Sequence, residues 1–403
     1  MKAIGLILCF SFILAITSKK FFHNNDFEDI QEISEEVIKQ GYTFNHYNVT
    51  TSDGYILSIW RINSKSSKPL GKVIILQHGL LDDAYTFYGL QKNYSLAYIL
   101  ADRGYDVWTP NVRGTIFSYL HTNKSLDAWD MFSDYWNFTF DDMANKDLPT
   151  IIDFIKEQTH VDKVDYIGHS QGSTMFIIKY MNDRRYLQDN INKFIALGPV
   201  PNVSNAESSL IKVLKHSILF KLWPGQSILF ASKKLRNIFS NVCAIIPNVC
   251  GSIVESITAI EPTKRTNYEK YISHLLLYEP GGSSKKNLEH WLQCARAKKM
   301  QLFDYGEEEN LKKYGTEQPP EYNKYNIRIW SIPSIFTITD ADTFSSQKDI
   351  MNFYYLLNDK DYITLLTLSN YNHLDYLWSE DAKTEVYDHV IRFLLNTNTI
   401  ETK

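Results

Sequence analysis

The sequence predicts an α/β fold: a mostly parallel sheet with helices on both faces and an inserted helical cap. Three observations predict it. Short apolar runs alternate with helical patterns up to residue 200, the alternation returns after residue 325, and the residues between are mostly helical in pattern. The 403 residues, 44% of them hydrophobic, are enough to bury a large core, so a disordered chain is excluded.

The alternation can be followed element by element. Residues 47–62 alternate in polarity around a Ser52-Asp53-Gly54 turn and predict a β-hairpin. The next apolar runs predict strands at residues 73–77, 105–108, 164–167 and 194–197. Helical spacing of apolar residues predicts helices at residues 95–103, 141–158 and 173–181. Strands that alternate with helices at this pitch form a parallel sheet.

The last part of the chain resumes the pattern, with strands predicted at residues 334–338 and 362–368 and a helix at 385–395. Within the insertion, residues 209–223 form an amphipathic helical pattern with an apolar side made of Leu210, Ile211, Leu214, Ile218 and Leu222. This helix is either a lid that turns its apolar side toward lipid or a helix packed permanently on the core. The predicted organisation is a leader at 1–18, the first part of the core at 19–200, a cap and lid at 201–325 and the second part of the core at 326–403.

The first 18 residues have the form of a secretory signal peptide. Met1-Lys2 precedes an apolar stretch at residues 4–16, and the small residues Thr17 and Ser18 follow. An uncleaved anchor is the alternative, although the stretch is short for a membrane span. No later segment is long and apolar enough to cross a bilayer, so we expect no transmembrane segment in the mature chain. The predicted destination is secretion or the lysosomal lumen.

The cysteines and asparagines fit such a compartment. Cys243 and Cys250 are close neighbours and predict a small disulfide loop, which leaves Cys294 as a free, buried thiol. Three reduced core cysteines are the alternative. No histidine or second cysteine pair lies at zinc-site spacing, so no metal site is predicted. Five N-x-S/T sequences predict glycosylation at Asn48, Asn93, Asn123, Asn137 and Asn202.

The pentapeptide Gly168-His169-Ser170-Gln171-Gly172 stands between the apolar run at 164–167 and the helical pattern at 173–181. In a G-x-S-x-G motif with this context, the chain leaves a strand, reverses sharply and enters a helix, so the serine hydroxyl is exposed above the sheet. The glycines are needed because side chains would collide in so tight a reversal. The motif therefore predicts that Ser170 is a nucleophile.

A serine nucleophile needs a base, and the base needs a carboxylate that orients it. In chains with this motif the carboxylate follows the serine and the histidine comes last. Beyond the strand at 334–338 the histidines are His373, in a loop after a strand, and His389, inside a helical pattern, so we predict His373 as the base. The acid should follow the strand at 334–338, where periodicity does not separate Asp340 from Asp342.

Two backbone N–H groups are expected to face the oxyanion that forms in the transition state. One belongs to Gln171, the residue after the nucleophile. The other should come from Gln77-His78-Gly79-Leu80-Leu81, which follows the strand residues 73–75, and the N–H of Leu80 is the predicted donor. His78 is interpreted as a residue that braces the loop.

A series of segments in a fixed order carries a family resemblance. The series includes the pentapeptide at 168–172 and the loop at 77–81. Its other members are Gly41-Tyr42, residues 51–57, 95–102, 104–108, 140–144 and 147–149, and Tyr371-Asn372-His373-Leu374-Asp375. With them the sequence resembles the acid lipase family, which includes gastric and lingual lipases, lysosomal acid lipase and related steryl ester hydrolases. The resemblance runs through nearly the whole mature chain.

The resemblance implies an α/β-hydrolase fold and cleavage of lipid esters, such as triacylglycerols or steryl esters, at a lipid–water interface without metal or cofactor. Counted back from Asp349-Ile350, the family's Asn-Gly-Gly-x-Asp segment places the acid on Asp342, although Thr339-Asp340-Ala341 replace the glycines. Cys243 and Cys250 look like the family's cap disulfide with a shorter loop. Residues 110–114, Pro-Asn-Val-Arg-Gly, stand where relatives carry Gly-Asn-Ser-Arg-Gly, a change of turn rather than of chemistry.

Other classes of function have less support. The net charge of −4 is mixed in sign and includes no basic run, so nothing favours a nucleic-acid partner. A hydrolase-fold protein that has lost catalysis and serves in lipid binding or adhesion would usually lack a member of the catalytic set, and none is missing here. A hydrolase with a carboxylate nucleophile, such as an epoxide hydrolase, would not carry serine in the pentapeptide.

Overall fold

The computed structural model describes residues 26–214, 220, 222–229, 231–258 and 268–395. The predicted leader at 1–18 lies outside the described residues, and so does part of the helix predicted at 209–223. The division of the chain into a core and a cap at residues 201–325 stays a prediction.

A mixed sheet forms the centre of the molecule. The strands of the molecule are β1 (Tyr42–Thr50), β2 (Tyr55–Ser64), β3 (Val73–Gln77), β4 (Asp106–Pro110), β5 (Leu120–His121), β6 (Val164–His169), β7 (Ile191–Leu197), β8 (Ser227–Ile228), β9 (Ser283–Ser284), β10 (Ser334–Thr339) and β11 (Ile363–Leu368). In the sheet they follow the order β1-β2-β4-β3-β6-β7-β10-β11, and β5 pairs with β2, while β8 and β9 form a separate antiparallel pair.

The pairing directions bring the functional loops to one edge. From β4 through β11 the neighbours in the sheet pair in parallel, whereas β1 pairs with β2, and β2 with β4, in antiparallel fashion. The carboxyl ends of β3, β6, β10 and β11 therefore lie along the same edge, which is where open α/β sheets hold their ligands. The predicted hairpin, the parallel sheet and the α/β class are confirmed.

Helices surround the sheet. They are α1 (Asp26–Lys39), α2 (Leu96–Asp102), α3 (Phe140–Asp142), α4 (Leu148–Thr159), α5 (Gln171–Asn182), α6 (Arg184–Asn190), α7 (Ser209–Leu214), α8 (Lys233–Ile245), α9 (Pro247–Thr258), α10 (Tyr268–Leu275), α11 (Lys285–Ala297), α12 (Glu307–Tyr314), α13 (Lys324–Arg328), α14 (Gln347–Leu356), α15 (Asp375–Trp378) and α16 (Asp388–Leu395). A π-helical turn, Met143–Asp147, joins α3 to α4 inside the helix predicted at 141–158, and another, Lys383–Tyr387, precedes α16.

Alternate side chains of each buried strand enter different hydrophobic clusters. In β3, Val73 and Ile75 join the cluster that includes α4 and α5, whereas Ile74 and Leu76 join the cluster that includes α2 and α16. Successive strand residues point to opposite faces, so this alternation places helices on both sides of the sheet. That arrangement explains why β3 reads as a continuous apolar run rather than as an alternating one.

The insertion is helical, as predicted, but the helix predicted at 209–223 extends too far. The described residues of this segment are helical at Ser209–Leu214 and at Phe220, whereas Leu222 and Trp223 are not helical. Pro224 explains the end of the pattern, because a residue before proline is disfavoured in the helical conformation. Leu214 is buried, whereas Leu222 is 64% exposed, so the two do not share one buried side.

The cysteine predictions are confirmed. Cys243 of α8 and Cys250 of α9 form a disulfide with 5.7 Å between their Cα atoms. Cys294 of α11 is a free, buried thiol, and burial raises its pKa to about 12. Among the described residues no single helix has the length and apolar content of a membrane span, although α8 and α9 pass that test as a pair bent by 109°.

Candidate active site

Ser170 lies on a strained turn between β6 and α5. Its backbone has φ 52° and ψ −120°, an unusual conformation for a residue other than glycine. A Cβ on Gly168 would come within 2.6 Å of the Ser173 nitrogen, and a Cβ on Gly172 would come within 2.4 Å of the Gln77 carbonyl oxygen. Both glycines are therefore required by space, and the half-buried Ser170 is presented at the carboxyl edge of the sheet.

The structure brings Ser170, His373 and Asp342 together. His373 Nε2 lies 2.7 Å from Ser170 Oγ, and His373 Nδ1 lies 2.8 Å from Asp342 Oδ2. The other carboxylate oxygen, Asp342 Oδ1, accepts hydrogen bonds from the N–H groups of Phe344 and Ser345, each at 2.8 Å. A carboxylate held in this way accepts the Nδ1 proton, which leaves the Nε2 lone pair directed at the serine hydroxyl.

The two residues that competed for these positions lie elsewhere. Asp340 is exposed, and its Oδ1 accepts a hydrogen bond from the N–H of Asn370 at 3.1 Å. It therefore joins the loop after β10 to the loop after β11 and does not contact the imidazole. His389 is an exposed residue of α16.

The loop after β3 packs directly against Ser170. A Cβ on Gly79 would lie 3.0 Å from the Ser170 Cβ, so only glycine allows this approach without a shift. His78 is buried, with Nδ1 3.0 Å from the Gly79 carbonyl and Nε2 accepting the N–H of Val112 at 3.2 Å. Burial lowers the pKa of His78, in keeping with a neutral ring that braces the loop.

Gln171 is the first residue of α5, so its N–H has no partner within the helix. Its side chain is buried and fixed by α11: Gln171 Oε1 accepts from Trp291 Nε1 at 2.8 Å and from Asn287 Nδ2 at 3.1 Å. Helix α11 lies within residues 201–325, the predicted cap. This helix therefore takes part in positioning the turn that carries Ser170.

Three buried residues that the sequence did not single out lie beneath this site. His169 Nε2 donates to the His373 carbonyl at 2.9 Å, and His169 Nδ1 lies 3.7 Å from Asp82 Oδ2. Asp82 Oδ2 also accepts the N–H of Gly79 at 3.3 Å. The Glu279 carboxyl, from the segment after α10, accepts the N–H of Asp83 at 3.3 Å.

The pKa values of the two buried carboxyl groups, Asp82 and Glu279, are shifted in opposite directions. Burial and the neighbouring charge of Asp82 hold the pKa of Glu279 well above its usual range. Burial would also raise the pKa of Asp82, but its interactions with the nearby His169 and Glu279 side chains outweigh burial and lower that pKa to about 2. Asp82 and Glu279 both accept backbone N–H groups of the loop after β3, those of Gly79 and Asp83. His169 was visible in the pentapeptide, but Glu279 had no signal because its partners are distant in sequence.

Residues 110–114, which differ from the family pattern, form a turn that supports the loop after β3. Arg113 is buried, and its guanidinium contacts Asp147 at 2.6 Å and Asp53 at 2.8 Å. The N–H of Val112 supports His78, as described above, and Asn111 Oδ1 accepts the N–H of Ala84 at 2.9 Å. The substituted segment therefore supports the loop after β3 from below.

The remaining predicted sites are on or near the surface. Asn48, Asn93, Asn123 and Asn137 are exposed, and Asn202 is half-buried. The Asn202 amide oxygen accepts the N–H of Val203 at 2.8 Å. Within the part of the chain that the structure describes, no group of three or more histidine, cysteine, aspartate or glutamate side chains could hold a metal ion.

Comparison with known proteins decides the family. A model of a partial α/β-hydrolase lipase region matches residues 33–89, and a model of the α/β-hydrolase fold matches residues 72–229. Gastric triacylglycerol lipase of Bos taurus is 33% identical over 91% of this chain and 92% of its own length. The chain belongs to the acid lipase family.

Other relatives agree with that assignment. The human gastric triacylglycerol lipase is 33% identical over 92% of this chain and 93% of its own, and mouse lipase member M is 31% identical over 92% and 87%. A crystal structure of a Sulfolobus solfataricus protein, 14% identical, has a TM-score of 0.56 over 88% of this chain and 94% of its own, which bears on the fold alone. As a family member the chain is a carboxylic ester hydrolase with the α/β-hydrolase fold.

Proposed function

We propose that this acid lipase hydrolyses lipid esters, with Ser170 as nucleophile, His373 as general base and Asp342 as the carboxylate that orients the imidazole. The observation that carries the proposal is the continuous pair of hydrogen-bond distances, 2.7 Å from Ser170 to His373 and 2.8 Å from His373 to Asp342. Each distance is within the range of a hydrogen bond that can pass a proton.

The first half of the reaction forms an acyl-enzyme. His373 Nε2 accepts the Ser170 proton while Oγ attacks the ester carbonyl, and the negative charge develops on the carbonyl oxygen. The N–H groups of Gln171 and Leu80 stabilise that charge, since the first begins α5 and the second lies in the loop packed on Ser170. His373 then donates the proton to the departing alcohol oxygen, and the ester C–O bond breaks.

The second half releases the acid. A water molecule gives a proton to His373 Nε2 and attacks the acyl carbonyl. The same two N–H groups stabilise the oxyanion of the tetrahedral intermediate that forms. The proton returns to Ser170 Oγ as the fatty acid leaves. Every proton is carried by the imidazole, so this sequence of steps requires no metal ion or cofactor.

Triacylglycerols and steryl esters, presented at a lipid–water interface, are the proposed substrates. Support comes from the relatives named gastric triacylglycerol lipase, which align over almost the whole chain. Hydrolysis of trioleoylglycerol, cholesteryl oleate and a phospholipid should be compared with that of a soluble short ester. Activity confined to the short ester would refute the lipid part of the proposal and leave an esterase.

A secretory route is the proposed path of the chain, to the outside of the cell or to the lysosome. It is supported by the apolar leader sequence, the Cys243–Cys250 disulfide and the exposed sequons. Glycosylation at Asn48, Asn93, Asn123, Asn137 and Asn202 is part of this proposal. A shift in mass after treatment of the expressed protein with a glycosidase would test it.

Replacing Ser170 with alanine tests the chemistry. We expect kcat to fall by about 10⁶-fold, the size of effect seen when the nucleophile of other Ser-His-Asp enzymes is removed. Ser66→Ala, at an exposed position, serves as the matched control. A serine-directed fluorophosphonate should label the control and not the Ser170→Ala variant. Wild-type turnover by a folded Ser170→Ala variant would refute the proposal.

A further inference from the structure

The turn between α8 and α9 exposes a group of aliphatic side chains, here called the apolar corner. Its members, with their exposed fractions, are Ile238 (52%), Val242 (45%), Ile245 (81%), Ile246 (43%) and Val249 (52%). The two helices meet at 109° at this corner, and the Cys243–Cys250 disulfide joins them across it. Contiguous exposed aliphatic groups of this kind mark a contact surface more often than ordinary solvent-exposed surface.

The sequence around the apolar corner carries no charge. Residues 237–254 include no aspartate, glutamate, lysine, arginine or histidine, whereas a protein surface that faces water normally mixes both signs of charge. Before it, Lys233 and Arg236 are paired with Asp29 of α1, and the exposed Lys234 lies one turn ahead of Ile238. The pairs fix the start of α8 to the rest of the molecule, and the uncharged stretch at 237–254 contains all the exposed side chains of the corner.

Helix α9 connects the apolar corner to the active site. It begins at Pro247, beside the corner, and ends at Thr258, whose carbonyl accepts the N–H of His373 at 3.3 Å. One residue earlier, the Ile257 carbonyl accepts Thr343 Oγ1 at 3.2 Å, next to Asp342. At the helical rise per residue, α9 spans about 18 Å. The corner thus lies one helix length from the loops that carry His373 and Asp342.

We propose that the apolar corner is the surface by which this enzyme docks on a lipid aggregate, an inference that rests on the proposed function. Docking there would hold the active-site loops at the end of α9 within about 18 Å of the lipid that contains the ester. A fluid lipid surface accepts aliphatic side chains without a complementary shape. Stable protein dimers, in contrast, bury about 800 Å² on each partner with polar groups at the rim, more than five partly exposed side chains can supply.

The test separates docking from catalysis. Ile245→Glu and Val249→Glu each place a charge at an exposed position of the corner, and Leu311→Glu of α12, where the leucine is 54% exposed, is the matched control. Partitioning onto dioleoylphosphatidylcholine vesicles is measured by co-sedimentation. Hydrolysis of emulsified trioleoylglycerol is compared with that of soluble p-nitrophenyl acetate.

We expect each corner variant to partition at least about tenfold more weakly, the scale set by removing one isoleucine or valine side chain from hydrocarbon. Trioleoylglycerol hydrolysis should fall in parallel, with kcat for p-nitrophenyl acetate unchanged. Wild-type partitioning by both corner variants would overturn the proposal. So would a wild-type dimer that the corner variants dissociate while vesicle binding persists, because the corner would then bind a second copy of the chain.

The proposed function and the docking proposal fail in different ways. Vesicle partitioning can be measured on the Ser170→Ala variant, in which no ester is hydrolysed, with and without Ile245→Glu. If the wild type hydrolyses no ester but the apolar corner still controls partitioning, the catalytic proposal is refuted and the docking surface stands. If p-nitrophenyl acetate turnover falls with vesicle binding in the corner variants, the corner acts on the folded site itself and the docking proposal is refuted.

Discussion

Replacement of Asp342 by asparagine tests the proposed orienting carboxylate with almost no change in side-chain volume. Asp342 Oδ1 accepts two backbone N–H groups, from Phe344 and Ser345, each at 2.8 Å. The amide oxygen of an asparagine would have to occupy that position, because an NH2 group cannot accept hydrogen bonds. The NH2 group would then face His373 Nδ1, which lies 2.8 Å from the other carboxylate oxygen.

Two donors cannot share that contact, so the imidazole proton would move to Nε2. Nε2 lies 2.7 Å from Ser170 Oγ, and once protonated it could no longer take the serine proton. We expect kcat on a soluble ester to fall by about 10⁴-fold, the cost of the wrong tautomer in comparable enzymes. That factor corresponds to about 5 kcal/mol in activation free energy.

Asp340→Asn is the matched control, since Asp340 is exposed and its contact with Asn370 can be made by an amide oxygen as well. Turnover of p-nitrophenyl butyrate gives kcat, and circular dichroism reports folding. The control should retain a rate close to that of the wild type. If the Asp340 variant loses activity and the Asp342 variant keeps it, the assignment of the carboxylate is wrong.

Two further predictions concern stability. Burial raises the pKa of Asp165 to about 6, so the folded state binds a proton more tightly than the unfolded state and the unfolding free energy falls as pH rises from 4 to 7. In Asp165→Asn this fall should be smaller by on the order of 3 kcal/mol, as measured by urea titrations at pH 4 and pH 7. If the unfolding free energy of the variant fell as much as that of the wild type, the prediction would be contradicted. Removing the disulfide with Cys243→Ser and Cys250→Ser, whose positions are 7 apart, should lower the unfolding free energy by about 2 kcal/mol, with soluble-ester kcat unchanged. A reductant should reproduce this loss in the wild type and have no effect on the double variant.

The sheet and the loops at its edge were predictable because their signals are local. Strand β3 occupies the predicted residues, since a buried strand of a parallel sheet is a short continuous apolar run. The turn at Ser170 was predictable because any residue larger than glycine at positions 168 and 172 would collide with neighbouring backbone. Sequence order narrowed the acid to Asp340 or Asp342, and the resemblance favoured the one that lies beside His373.

The errors and omissions have physical causes as well. Apolar spacing extended the helix predicted at 209–223 to Trp223, but a residue before proline is disfavoured in the helical conformation, and Leu222 and Trp223 are not helical. The contacts of Glu279 and Gln171 had no periodic signal, because their partners come from remote segments that only the folded chain brings together. The exposure of the apolar corner could not be predicted from the sequence either, since helical spacing identifies an apolar face but does not show whether another element covers it.

The segment after α10, which lies within the predicted cap, takes part in building the active site. Gly281 donates its N–H to the Leu81 carbonyl and accepts the N–H of Ile116, and Glu279 bonds to Asp83, 196 residues away. A shortened chain without residues 201–325 would lose the contacts that Glu279 and Gly281 make with the loop after β3. Such a truncation would not give a minimal esterase, because the loop that packs on Ser170 is held by residues from the segment that has been removed.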